Sequence, residues 1–247
     1  MVKAVLKEIG GSGSPLLMIH GFGSDSLSWS ALVAGLSNQH RLLAVDLPGH
    51  GKAANEVGDG SIATLADAVG ICLQEINGPV HMIGHSLGGA VAADLERRFP
   101  EKILSLVLLA PAGLGAGIDK DFLDEFPNAA SDAEIQALLV KLVARESLIQ
   151  PPLVAHVKAS LANPERREAL RIIAKNLIEP ISLTPSVECT STIIWGEDDK
   201  INPFDNTTTT DFSNSVHVLN RCGHLPHVEA ASKVVRIFRE AVLSQAE

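Results

Sequence analysis

Short runs rich in Val, Ile and Leu recur along the chain at Leu16–His20, Leu42–Asp46, Val80–Gly84, Ile103–Ala110, Thr192–Gly196 and Val216–Asn220. Continuous apolar runs of this length suit strands covered on both faces, because neither face needs polar residues for solvent. Helix-length stretches separate the runs. Successive strands must therefore return by crossovers, which gives an α/β chain with a mainly parallel central sheet flanked by helices. Lys3–Ile9 alternates more weakly and is expected to add an antiparallel edge strand. A sheet buried on both faces needs a large apolar core. With 46% hydrophobic and 20% charged residues over a length of 247, the sequence can supply one.

The stretch from 112 to 180 interrupts this alternation. It contains no strand-like run. Ser131-Asp132-Ala133-Glu134 has the spacing of a capping box, in which the serine oxygen accepts a first-turn N–H and the glutamate reaches back. Ile135, Leu138, Leu139, Leu142 and Val143 follow at helical spacing. Pro151-Pro152 and Asn163-Pro164 mark helix starts. The expected organisation is therefore a core over 1–111, a helical lid over 112–180 inserted between two strands, and the rest of the core over 181–247. Ordinary crossover helices are the alternative, although the insert is longer than one crossover requires. Phe122, Phe126 and Leu139 are candidates for a pocket wall, with lid core as the other use for apolar residues there.

The chemistry is carried by Gly84-His85-Ser86-Leu87-Gly88, which fits G-x-S-x-G. It follows the run at Val80–Gly84 and precedes a helical pattern over Gly89–Phe99. A sharp strand-to-helix turn exposes the Ser86 hydroxyl above the sheet, at a helix N-terminus that favours developing negative charge. Gly84 and Gly88 leave room for the backbone to close up around it. A serine hydroxyl is a weak nucleophile and needs a base, and the base needs an orienting carboxylate. Of nine histidines, His224 lies just past the last apolar run, in a loop able to reach the strands' carboxyl ends; His227 is its neighbouring rival. Glu197, Asp198 and Asp199 follow another strand. Asp199 is the expected acid and Asp198 the alternative. Acyl chemistry also needs two N–H donors for an oxyanion. The amide of Leu87, just after the serine, is one candidate. The amide of Phe22, in His20-Gly21-Phe22-Gly23 after the first parallel strand, is the other. His40, His156 and His217 read as surface or structural residues.

Other function classes are disfavoured. A net charge of −9 argues against nucleic acid or an anionic membrane as the main partner. No apolar stretch approaches the ~18 residues of a membrane span, and Met1–Gly10 lacks the order of a secretory leader. Three cysteines, Cys72, Cys189 and Cys222, make no disulfide framework and are expected to be reduced, in a cytoplasmic protein. No histidine joins the 197–199 acids by local spacing, and no phosphate-loop or dinucleotide fingerprint is present. No cofactor and no metal are expected. The expected partner is a small-molecule substrate.

Together these motifs, with Val45-Asp46-Leu47-Pro48-Gly49-His50-Gly51 as a loop that is structural in that family, resemble the α/β-hydrolase superfamily across nearly the whole chain. The resemblance implies the α/β-hydrolase fold and a Ser86-Asp199-His224 triad acting on an ester, thioester or C–C (diketone) substrate. A narrower resemblance runs through His20–Trp29, Gly84–Ala92, Leu109–Gly115 and Arg145–Ile149. These are similar to the hydrolase-like domain of acetoin dehydrogenase acetyltransferase subunits, where that domain follows a lipoyl domain. That resemblance implies acyl transfer between dihydrolipoyl sulfur and coenzyme A. It leaves open a homo-oligomer or a place in a larger acyl-transfer complex, and a stand-alone relative or part of a longer protein. A non-catalytic ligand receptor on the same fold is the remaining alternative.

Overall fold

The computed structural model describes residues 2–179, 191–209 and 215–243. Cys189 and the expected boundary between 180 and 181 lie outside them. Among the described residues the strands are β1 (Val5–Gly10), β2 (Ser14–Ile19), β3 (His40–Asp46), β4 (Val80–His85), β5 (Ile103–Leu109), β6 (Ser191–Gly196) and β7 (Ser215–Leu219). They form one sheet in the order β1-β3-β2-β4-β5-β6-β7. β1 pairs antiparallel with β3, and every other pairing is parallel. All of the strand-like runs, and the weak edge run, correspond to strands.

The apolar runs are continuous because both faces are covered. Leu17 and Ile19 of β2, with Leu43 and Val45 of β3, pack into one buried cluster. Leu16 and Met18, with Leu42 and Ala44, point into the cluster on the opposite face. The helices around the sheet obey their own periodicity. α1 (Ser30–Leu36) and α9 (Ala231–Leu243) cover the second face. α9 presents Val234, Ile237 and Phe238, an i, i+3, i+4 stripe. Each such buried side chain contributes about 1.5–3 kcal/mol over leaving it in water. α2 (Ile62–Glu75) and α3 (Leu87–Arg98) cover the first face. Ser61 caps α2 by accepting the Thr64 N–H. β7 departs from the doubly buried pattern: Val216 and Val218 are 38% and 39% exposed. It is an edge strand, paired on one side only.

Between β5 and β6 lie α4 (Lys120–Glu125), α5 (Asp132–Lys141), α6 (Pro151–Leu161) and α7 (Pro164–Ile178). α5 begins with the expected capping box, Ser131 accepting from the Glu134 N–H while Glu134 accepts from the Ser131 N–H. α6 and α7 start at Pro151 and Pro164, where a missing N–H costs nothing. α7 turns Ala169, Leu170, Ile173, Ala174 and Leu177 inward. α8 (Pro226–Glu229) is one short turn ahead of α9.

The strand order reverses about β2, which has β3 on one side and β4 on the other. Loops leaving the carboxyl ends of β2 and β4 diverge there, and open α/β sheets bind their ligands in that crevice. Ser86 sits at the end of β4 with φ 50° and ψ −115°, in a region that side-chain-bearing residues rarely adopt. Its backbone is held from the β5 side: Ser86 N–H donates to Leu109 O at 2.9 Å, and Ala112 N–H donates to Ser86 O at 3.0 Å. Gly88 lets α3 approach β2 so closely that a Cβ there would overlap the Ile19 and His20 carbonyls, and a Cβ on Gly84 would overlap the Gly88 carbonyl.

Asp46, at the end of β3, fixes the loops on the other side of the crevice. Its buried carboxylate accepts from the Ser26 N–H at 2.8 Å and the Lys52 N–H at 2.7 Å, and pairs with Lys7 of β1. Burial alone would raise its pKa; the hydrogen bonds from Lys7, Lys52 and Ser26 reverse that and hold it at about 2.

Two stability outcomes follow. Gly88→Ala should cost about 3 kcal/mol or prevent folding, since backbone carbonyls rather than flexible side chains must move; urea denaturation reads this, and an unchanged midpoint would contradict the close approach. Asp46→Asn should cost about 3 kcal/mol near neutrality, because Lys7 loses its partner. Asp46 titrates lower in the folded chain than its ordinary 3.8, so its contribution is complete above that value and fades as pH falls towards about 2. The gap between wild type and Asp46→Asn should therefore close in that acid window, and a constant gap down to pH 2 would refute the assignment.

Candidate active site

The loop after β2 carries Gly21, Phe22 and Gly23, and two buried histidines set its path. His20 Nδ1–H donates to the Gly21 carbonyl at 2.8 Å, while its Nε2 accepts the Leu47 N–H at 3.1 Å. His50 Nδ1–H donates to the Pro48 carbonyl at 2.9 Å, and its Nε2 accepts the Gly23 N–H at 3.0 Å. A backbone N–H only donates and a carbonyl only accepts, so each ring is fixed in one neutral tautomer. Burial supports this by lowering both pKa values, that of His50 to about 3. The two rings lie 5.1 Å apart. Neither role was read from the sequence; the available signal was the pair of histidines in H-G-x-G and D-x-P-G-H-G. Among the described backbone hydrogen bonds, the Phe22 N–H has no acceptor. The Leu87 N–H is in the first turn of α3, where amides lack intrahelical partners.

His224 lies in the loop between β7 and α8, and the loop is gripped from both sides. Its N–H donates to the Leu142 carbonyl at 2.8 Å. Its carbonyl accepts His85 Nε2–H at 2.8 Å. Glu229 ties the same loop to the end of α5: one carboxylate oxygen accepts the Gly223 N–H at 2.6 Å, the other the Ala144 N–H at 3.0 Å. Arg145 completes the clasp by donating to the Glu229 carbonyl at 2.6 Å.

Asp199 is buried and accepts four hydrogen bonds. Oδ1 takes the Ile201 and Asn202 amides, both at 2.9 Å. Oδ2 takes the Trp195 indole N–H at 3.1 Å and His224 Nδ1–H at 2.7 Å. Glu197 and Asp198 are exposed. Of the three acidic candidates, the one facing a histidine is thus Asp199. The rival base, His227, packs its ring against Trp29 and His85 at 4.8 and 4.7 Å, and its buried Nδ1 has no hydrogen-bond partner among the described residues. Burial, then the neighbouring His224, lowers its pKa to about 3. Cys222 is buried nearby; burial, then Glu229 and Asp199, pushes its thiol up to about 12, so it stays protonated.

Ser86, His224 and Phe22 all border one cavity of about 510 Å³, the size of a small-molecule site. Phe122, Phe126 and Leu139 line it and also pack into the main apolar cluster, so both uses considered for them apply. His156, read from the sequence as a surface or structural residue, is at the rim and bonds Asp25 at 2.7 Å. His40 and His217 do not border the cavity. No hydrogen bond joins Ser86 Oγ to His224 among the described residues; such contacts often tighten only when substrate binds.

The family model described as the alpha/beta hydrolase family matches residues 16–237. The dihydrolipoyllysine-residue acetyltransferase component of the acetoin cleaving system of Pseudomonas putida is 30% identical over 92% of this chain and 63% of its own length. The corresponding component of Cupriavidus necator is 27% identical, with 62% of its length covered. The chain thus spans a little under two thirds of these relatives. Monoacylglycerol lipase ABHD6 of Mus musculus is 26% identical over 93% of this chain and 75% of its own. Among solved structures, the meta-cleavage product hydrolase CumD of Pseudomonas fluorescens IP01 superposes with a TM-score of 0.85 at 21% identity, covering 99% of this chain and 95% of that one, and so shares the fold. With this match over nearly the whole sheet and its flanking helices, the chain belongs to the alpha/beta hydrolase family.

Proposed function

We propose that the chain is a serine-nucleophile hydrolase of esters or thioesters, with Ser86, His224 and Asp199 as its triad. The observation that carries this reading is the buried Asp199–His224 pair on the cavity that Ser86 borders. Asp199 fixes the Nδ1–H tautomer of His224, which leaves Nε2 as the nitrogen able to accept a proton. Ser86 Oγ attacks the acyl carbon as its proton passes to His224 Nε2. The oxyanion that forms takes hydrogen bonds from the Phe22 amide and from the Leu87 amide, which lies in the first turn of α3. His224 returns the proton to the leaving alcohol or thiol, and the acyl group remains on Ser86. A water deprotonated by His224 then releases the acid. Asp199 holds the His224 ring through its Nδ1–H and stabilises the imidazolium as it forms.

We assign the helices between β5 and β6 as a lid over this site. Phe122, Phe126, Leu139 and Val157 of this stretch line the cavity that Ser86 borders, which supports reading it as the lid expected over 112–180. The clasp made by Glu229 and Arg145 then couples the lid's base to the His224 loop.

A second reading is favoured by the names of two relatives, both acetyltransferase components of an acetoin cleaving system. In it a thiol replaces water as acceptor of the acyl group, and every step up to the acyl-enzyme is the same.

With 4-nitrophenyl butyrate as substrate, Ser86→Ala should lower kcat by at least ~10⁴-fold and Asp199→Asn by a comparable factor, through loss of the nucleophile and of the correct tautomer. Retained turnover in a folded Ser86→Ala protein would sink the triad. Adding dihydrolipoamide to the same assay separates the two acceptors. Butyrate release unchanged by thiol supports hydrolysis, and accumulating butyryl-dihydrolipoamide supports transfer.

A further inference from the structure

The polar character of the cavity is one-sided. Its wall is made by Phe22, Phe122, Phe126, Leu139, Ile149 and Val157 among other apolar side chains. The ionisable groups that face it are Asp25, His85, His156, His224 and His227, with no lysine or arginine among the lining residues. The residues outside the described set contain no lysine or arginine either. His85 and His227 are held neutral by burial. Among the described residues that line the cavity, Asp25 is the one carboxylate, beside His156.

None of the cations of the covering helices borders the cavity: Lys120 and Lys175 are exposed, and the following four are committed elsewhere. Arg166 donates to the Gly51 carbonyl at 3.0 Å and to Asn55 at 2.9 Å. Arg167 serves three carbonyls, those of Leu161, Pro127 and Ala129, at 2.6 to 2.8 Å. Lys141 lies 3.6 Å from both Asp119 and Glu125, and Lys158 pairs with Asp132 at 2.7 Å. A carboxylate carried into the cavity would lose its water, find no lysine or arginine, and approach Asp25. Burying a charge without a partner is strongly unfavourable, while an alkyl chain gains from every apolar atom it covers.

We propose that the site selects an acyl group that is uncharged and apolar, and rejects acyl chains ending in a carboxylate. The inference deepens the serine-hydrolase reading and rests on it for the identity of the reacting bond. The charge preference itself rests only on what lines the cavity. It sets monocarboxylic acyl esters and thioesters apart from half-esters of dicarboxylic acids, which the triad alone does not distinguish.

The test compares 4-nitrophenyl hexanoate with the mono-4-nitrophenyl ester of adipic acid. Both carry the same six-carbon acyl chain, one ending in methyl and the other in carboxylate. At pH 8 the hexanoate should have a kcat/KM at least about 100-fold higher, since the charge must be desolvated unpaired. A ratio near one, or a preference for the adipate, would overturn the proposal. Running both esters with Ser86→Ala separates the two claims: loss of turnover upholds the nucleophile whatever the ratio, and retained turnover removes the nucleophile while the ratio still decides the charge preference. Should neither ester react, displacement of the neutral fluorophore N-phenyl-1-naphthylamine from the wild-type chain reads the same selectivity. Hexanamide should displace it at concentrations at which adipamate does not, and equal displacement would overturn the proposal.

Discussion

The arrangement depends on how closely α3 approaches the sheet at Gly88. The helix axis can start directly above the end of β4 only because Gly84 and Gly88 put no side chain between backbone segments. That proximity leaves Ser86 no ordinary conformation, and the turn is completed at a φ of 50°. The strain is held by hydrogen bonds from the end of β5, so neighbouring strands carry its cost. In return the Ser86 side chain stands clear of the sheet at a helix N-terminus, beside the loop that leaves β2.

Around that turn the structure uses histidines chiefly as uncharged braces. His20 and His50 each bridge a carbonyl and an amide, and protonation of either would put a donor against a donor. Burial keeps them neutral, which makes the Phe22 loop rigid without a charge beside the proposed oxyanion site. His85 does similar work for the His224 carbonyl. The buried carboxylates nearby are each satisfied: four donors surround Asp199, and Asp46 is paired with Lys7. A cavity lined mostly by apolar groups fits this use of neutral braces: a low-dielectric site strengthens the few dipoles aimed into it.

The helices between β5 and β6 do more than cover the cavity. The end of α5 bonds the His224 backbone through Leu142, and Glu229 binds amides of both segments. Movement of these helices would therefore be felt by the proposed base as well as by the pocket wall. The end of α5 and the loop that carries His224 are one hydrogen-bonded unit.

Much of this was legible in the sequence because it depends on local periodicity and local sterics. Continuous Val/Ile/Leu runs separated by helix-length stretches determined a doubly covered, mainly parallel sheet. Gly84-x-Ser86-x-Gly88 determined the turn after β4, and Ser131 with Glu134 determined the start of α5. The choice of Asp199 over Asp198, and of His224 over His227 as its partner, was only ordered by position in the chain. The tertiary structure pairs Asp199 with His224, segments 25 residues apart, through burial and the set of donors. The exposed face of β7 and the Glu229 clasp carried no sequence signature of their own, and the histidines of H-G-x-G and D-x-P-G-H-G marked the place of the His20 and His50 braces without their partners. They arise where distant segments meet, and only the tertiary structure fixes which backbone groups arrive there needing a partner.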